Sequence, residues 1–222
     1  MNDIEVVRHP RARGWKLKLD PATGRATLTI SPRARAADAL AWAHGQQGWL
    51  AAQRAQLPEA RPLLPGAVIS VADDRLTLEW RADASRTPRR EGDALICGGA
   101  ADGFGRRVER WLRRESLRVL SAETGEFADL ADVSIARVSI GDPKGRWGSC
   151  ASTGAIRYSW RLILAPAFVR RATVAHEVAH RVHMNHSPRF HALVRQLLGE
   201  DPAPARAWLR RHGAELHWVG RH

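Results

Sequence analysis

Along the first hundred residues, apolar positions recur mostly at every second place. WKLKLD (15–20) and RATLTIS (25–31) alternate in this way around the turn-rich PATG, which predicts a β-hairpin. Residues 36–56 change period: Leu40, Trp42, Trp49 and Leu50, with Leu57 just beyond, form a helical stripe and predict one helix. VISVA, RLTLEW and ALIC, between 68 and 97, then predict short strands broken by polar turns.

ADGFG (101–105) marks a change of character. After it comes an arginine-rich helix, whose Phe104, Val108, Trp111, Leu112 and Val119 recur at helical spacing and point inward. Glu115 falls on the same stripe and is expected to pair with a nearby arginine. VSIARVSI (133–140) and AIRYSWRLIL (155–164) predict two more strands around the loop GDPKGRWGSC (141–150), and three helices close the chain. The pattern is that of an α+β protein, with a strand-rich N-terminal portion over 1–100 and a second domain over 101–222. There is no internal repeat.

Composition narrows the class. A chain of 222 residues, 44% hydrophobic and 26% charged, can bury a real core. No apolar run approaches the ~20 residues of a membrane span, and the N-terminus lacks the hydrophobic stretch of a secretion signal. Cys97 and Cys150 are too few for a disulfide framework, so a reduced, cytoplasmic protein is expected. The net charge of +12 invites nucleic-acid contact. Of 35 basic residues only Lys16, Lys18 and Lys144 are lysines, however, and arginine this dominant also fits a GC-rich coding bias. The clusters RTPRRE (86–91) and RRVERWLRRES (106–116) read first as solvated surface.

The densest chemistry lies in HEVAHRVHMNH (176–186). A helix is predicted from Ala167, after Pro166, to about residue 184. On it His176 and His180, four apart, stack on one face about 6 Å from each other. Two such imidazoles can share one Zn²⁺, while Glu177, one step around the helix, can reach a water at the metal without ligating it. A catalytic zinc needs a third protein ligand. His183 lies on the same helix face but about 10 Å along the axis from His176. His186 has the spacing of the metzincin pattern, though His183 holds the place of its glycine. Asn185, which tolerates a left-handed backbone, would turn the chain, and Ser187-Pro188 reads as the start of the next helix. His186 is therefore the favoured third ligand. A merely histidine-rich surface helix is the bland alternative. Residues 1–100 carry no comparable cluster and are expected to be an accessory unit.

Residues 143–194, from PKGRWGSC through NHSPRFHALV, closely resemble the YgjP-like metallopeptidase family, relatives of the SprT-type zincins. RWGSC, WRLILAP, the HE-x-x-H helix and NHSPRF stand in the family's order, and a weaker likeness extends over most of the N-terminal portion. HEVAH stands where HELAH is commoner, and His191 where tryptophan is usual. The resemblance implies a zincin-like, zinc-dependent hydrolase with His176, His180 and His186 as ligands and Glu177 as general base and acid. It also implies that RWGSC borders the cleft, where an exposed strand edge can pair with an extended polypeptide and Trp147, Gly148 and Ser149 line the site. A turn packed beneath the helix is the alternative for those three. Tyr158 reads as core rather than as an oxyanion donor, and Cys150 need not touch the metal. Two other functions stay open: a metal-dependent phosphohydrolase acting on nucleotides or phosphoesters, which the arginines would suit, and a DNA-associated binding module with a vestigial metal site. An intact Glu177 argues against the last. Neither pattern nor resemblance specifies the oligomeric state.

Overall fold

The computed structural model describes residues 4–221, which group into two compact units, Met1–Glu59 and Ala60–His222. The first unit holds β1 (Ile4–Arg8), β2 (Lys16–Leu19) and β3 (Ala26–Ile30), ordered β1-β3-β2. β2 and β3 form the expected antiparallel hairpin. Its turn is closed by the Asp20 carboxylate, which accepts from Ala22 N at 2.9 Å and from the Thr23 hydroxyl at 2.8 Å. β1 lies parallel to β3 on the other side and was not expected from the pattern.

The single helix expected over 36–56 is two, α1 (Ala36–His44) and α2 (Gln47–Ala55). The break falls at Gly45-Gln46, beside two poor helix residues, Gly45 and Gly48. The helical phase restarts there, so only part of the anticipated stripe is buried: Leu50 is, Leu40 and Leu57 pack at the edge of the core, and the two tryptophans are not. Ala39, Ala43 and Leu50 are fully buried, while Trp42 and Trp49 remain exposed. Ala39 and Ala43 pack on Leu28 and Ile30 of β3.

The second unit contains β4 (Val68–Val71), β5 (Asp74–Trp80), β6 (Arg89–Glu91) and β7 (Ala94–Cys97), ordered β4-β5-β7-β6. α3 (Phe104–Leu130) follows, then a second sheet of β8 (Arg137–Gly141), β9 (Gly148–Cys150) and β10 (Ala155–Ser159), ordered β8-β10-β9. α4 (Ala167–Ala179), α5 (Pro188–Leu198) and α6 (Ala203–Trp218) complete it. The architecture is mixed α+β. The change of pattern near residue 100 is not where the units divide. Ile69, Leu76, Leu78 and Leu95 of the first sheet share one core with Phe104, Val108 and Leu112 of α3 and Val169 of α4.

Two expected strands are shorter than their apolar runs. Residues 133–136 lead into β8 without joining the sheet, and WRLIL (160–164) winds into a 3₁₀ turn with all five residues buried. Neither VSIARVSI nor AIRYSWRLIL contains a Gly, Pro, Asn or Asp to mark where its strand starts or stops. Tertiary contacts decide instead: Arg161, within that run, pairs with Asp142 at 2.7 Å and donates to the carbonyls of Leu216 and Val219 at the end of α6. A cation suits that position, because helix C-termini carry partial negative charge.

α4 is held at both ends of its first turn. The β4–β5 hairpin turns through Ala72 and Asp73, both with positive φ, which matches the two-residue turns that follow strand twist. Asp73 then accepts from the backbone N of Ala167 at 2.7 Å and so caps α4. One turn on, Arg170 meets Glu123 of α3 at 2.9 Å in a pair buried on both sides. Burial pushes the Glu123 carboxyl above its ordinary pKa, and Arg170 opposes that shift. Glu115, as expected, pairs with an arginine, Arg118.

Candidate metal centre

α4 ends sooner than its sequence pattern suggests. Regular helix stops at Ala179, His180 is its C-cap, and one tightened turn follows in which the N–H groups of Val182 and His183 both donate to Ala179 O. Asn185 is not among the residues with positive φ. It helps the reversal differently, its side-chain oxygen accepting from Ser187 N at 3.3 Å. Ser187 caps α5 by accepting from Phe190 N, with Pro188 in the first turn, as expected.

The early stop brings three imidazoles together. One ring nitrogen from each of His176, His180 and His186 lies within 4.8 Å of the others, and His183 is not in that group. His183 contributes its carbonyl, 3.1 Å from His180 Nδ1. A proton on that Nδ1 leaves Nε2 with a free lone pair, the usual way a metal-binding histidine is oriented. Cys150 stays apart, its thiol donating to Ala151 O.

The donor set fits a small cation. His176 Nε2 and His186 Nε2 face each other at 3.2 Å, close to the roughly 3.3 Å edge of a tetrahedron with ~2.0–2.1 Å metal–nitrogen bonds. Burial, reinforced by His180 and His186, lowers the His176 pKa to about 4, which keeps its lone pair available. Three nitrogens leave one of four tetrahedral positions open.

Beneath the rings lies Phe190, fully buried, with its centroid 4.8, 4.5 and 4.9 Å from those of His176, His180 and His186. Sequence reasoning placed Phe190 only in the next helix. The available signal was its position three residues after the Ser187 cap, which aims it back at the preceding turn.

Glu177 is only 5% exposed, and burial pushes its carboxyl pKa up to about 7 while Arg146 pulls it down. The carboxylate rests against the backbone of β9: a Cβ at Gly148 would sit 2.5 Å from Glu177 Oε1. Trp147 and Gly148 line a cleft of about 280 Å³ together with His176, Glu177, His191 and Arg206. Trp147 stacks on His217 of α6, ring centroids 5.1 Å apart. Ser149 instead faces a neighbouring depression with Asp142 and Arg157. Tyr158 is fully buried at 3.1 Å from the Thr124 hydroxyl, so it belongs to the core.

No helix among the described residues is long and apolar enough to cross a membrane. No curated relative and no solved structure matches the chain. The family described as YgjP-like, metallopeptidase domain matches residues 15–212, a span that includes β2 through most of α6 and every residue of the histidine cleft. Metallopeptidases are metal-dependent hydrolases, and a three-histidine group beside a buried glutamate is consistent with that class: the chain belongs to the YgjP-like metallopeptidase domain family.

Proposed function

We propose that this protein is a zinc-dependent, zincin-like peptidase in which His176, His180 and His186 hold the metal and Glu177 is the general base. The observation that carries the reading is the pairing of a closed three-imidazole group with a buried carboxylate on the next helix position. A zinc ion held there would supply a Lewis acid that makes water acidic near neutral pH. Glu177 takes the proton of the attacking water at its carboxylate and returns it to the departing amine. Its burial suits both duties, since a carboxyl with a raised pKa exchanges protons near neutrality. β9 pairs only with β10 among the described residues, which leaves its other edge for an extended polypeptide. Trp147 and Gly148 then border the scissile bond, and Ser149 reaches the chain further along.

One observation favours a second reading. Arg146 and Arg206 both line the cleft, and two guanidiniums beside the metal group suit the phosphates of a nucleotide or phosphoester. A vestigial site in a DNA-binding module fits less well, because a buried carboxylate in the cleft has no use there.

The test is Glu177→Gln in zinc-loaded protein, assayed on unfolded polypeptide and on nucleoside triphosphates. The expected result is unchanged zinc content with hydrolysis reduced by about 10²–10⁴-fold. The substrate that wild type cleaves separates the two hydrolase readings. Full activity at unchanged zinc would move the base elsewhere.

A further inference from the structure

The excess of basic over acidic residues is not spread evenly. Four arginines close around one cavity of about 270 Å³, lined by Arg86, Thr87, Pro88, Arg107, Arg110 and Arg114. It shares no residue with the histidine cleft. Arg107, Arg110 and Arg114 lie on one face of the early turns of α3. Arg86 reaches over from the segment before β6. Among the described residues none of the four has a carboxylate partner, whereas other arginines of α3 do: Arg113 pairs with Glu109 and Arg118 with Glu115.

Arg107 is the informative member. It is only 6% exposed, its Nη2 donates to Ala100 O at 2.6 Å, and its Nε is buried without a hydrogen-bond partner. A buried cation with an idle donor is costly unless an anion meets it. Room for these side chains comes from two glycines. A Cβ at Gly103 would lie 2.6 Å from Arg107 Nη1, and one at Gly99, where φ is +82°, would lie 2.9 Å from Arg86 Cγ. The first turn of α3 contains no acidic residue, so its dipole adds to the same positive field.

We propose that this cavity binds a phosphate group, carried either by a free phosphate ion or by a nucleic-acid backbone. A tetrahedral oxyanion matches the forked donors of several guanidiniums at once and balances the charge of the buried Arg107. The site is independent of the chemistry at the histidines, so it stands whichever hydrolase reading holds.

The test uses the full-length chain. Calorimetric titration with inorganic phosphate is compared with fluorescence anisotropy of a short labelled DNA duplex at several salt concentrations. Arg107→Gln risks misfolding, since Arg107 also braces Ala100, so the double variant Arg110→Ser/Arg114→Ser is the main probe. Arg33→Ser/Arg35→Ser, which removes the same charge from the first unit, is the control. The expected result is at least a ~10-fold loss of phosphate affinity in the α3 variant and none in the control. If duplex binding falls in parallel and its log–log salt dependence becomes shallower by about 2, the backbone is the source. If only phosphate binding falls, the free ion is. Absence of binding in wild type, an unchanged α3 variant, or equal losses in the control would each overturn the site.

Discussion

At the scale of single residues, Gly148 and His186 carry the sharpest expectations. Gly148 leaves room for the Glu177 carboxylate against the backbone of β9, with a Cβ position only 2.5 Å from Oε1. Gly148→Ala must therefore displace the carboxylate rather than the strand, whose neighbours Trp147 and Cys150 are held by pairing and packing. We expect hydrolysis to fall by about 10²-fold with metal content intact, because a misplacement of an ångström in a catalytic group costs on that order. Activity near wild type would show that the contact is not needed. For the metal, His186→Ala is expected to abolish tight binding and His183→Ala to weaken it little, since only the backbone of His183 touches the group. Metal analysis of the two purified variants decides, and a larger loss for His183 would reverse the assignment. His176, Glu177 and His180 were legible because their spacing is a local, helical quantity, and His186 because Ser187-Pro188 marks a chain reversal just after it. Phe190 and the fit of Gly148 were not, since both depend on what a distant segment brings against the helix.

At the scale of elements, helix starts were easier to read than helix ends. Ser187-Pro188 announces α5 by its own chemistry, and Gly199 at φ 76 ends it. α4 has no such stop signal after Ala179, and it ends in the tightened turn where Val182 and His183 both donate to Ala179 O. The start of α4 is secured from outside, by the Asp73 carboxylate in the β4–β5 turn. Asp73→Gly, which keeps the positive φ of that turn position, should destabilise the second unit by about 1 kcal/mol, the usual value of an N-cap, measured as a lower urea midpoint at unchanged slope. A variant as stable as wild type would mean that Pro166 and neighbouring solvent satisfy the helix end unaided. Strand ends at Ser159 and before Arg137 were illegible for a different reason, because no turn residue stands beside either.

At the scale of the whole second unit, Asp142 ties the loop before β9 to the C-terminal end of α6 through Arg161. Burial alone would raise its pKa, yet the hydrogen bonds from Arg161 and Lys144 hold it at about 2. A carboxylate with a depressed native pKa stabilises the fold above its unfolded value near 4, and that contribution fades as pH falls toward 2. Asp142→Asn should therefore lose on the order of 2 kcal/mol at neutral pH, and its stability should converge with that of wild type near pH 2. A gap that stays constant across that range, in paired urea titrations, would contradict the assignment.

The sequence by itself determined the α+β class, the β2–β3 hairpin and the family, and it pointed to the three histidines that the fold brings together. Each of these rests on local chemistry: a period of two or of 3.6, a turn composition, a fixed spacing along a short stretch of chain. Only the tertiary structure decided that residues 60–100 belong with the histidine-bearing unit, that Trp42 and Trp49 stay exposed, that Ser149 lines a depression beside the cleft, and that α4 stops at Ala179. In each case the local pattern allowed more than one arrangement. Burial against residues far away in the chain chose between them, and no window of sequence contains that choice.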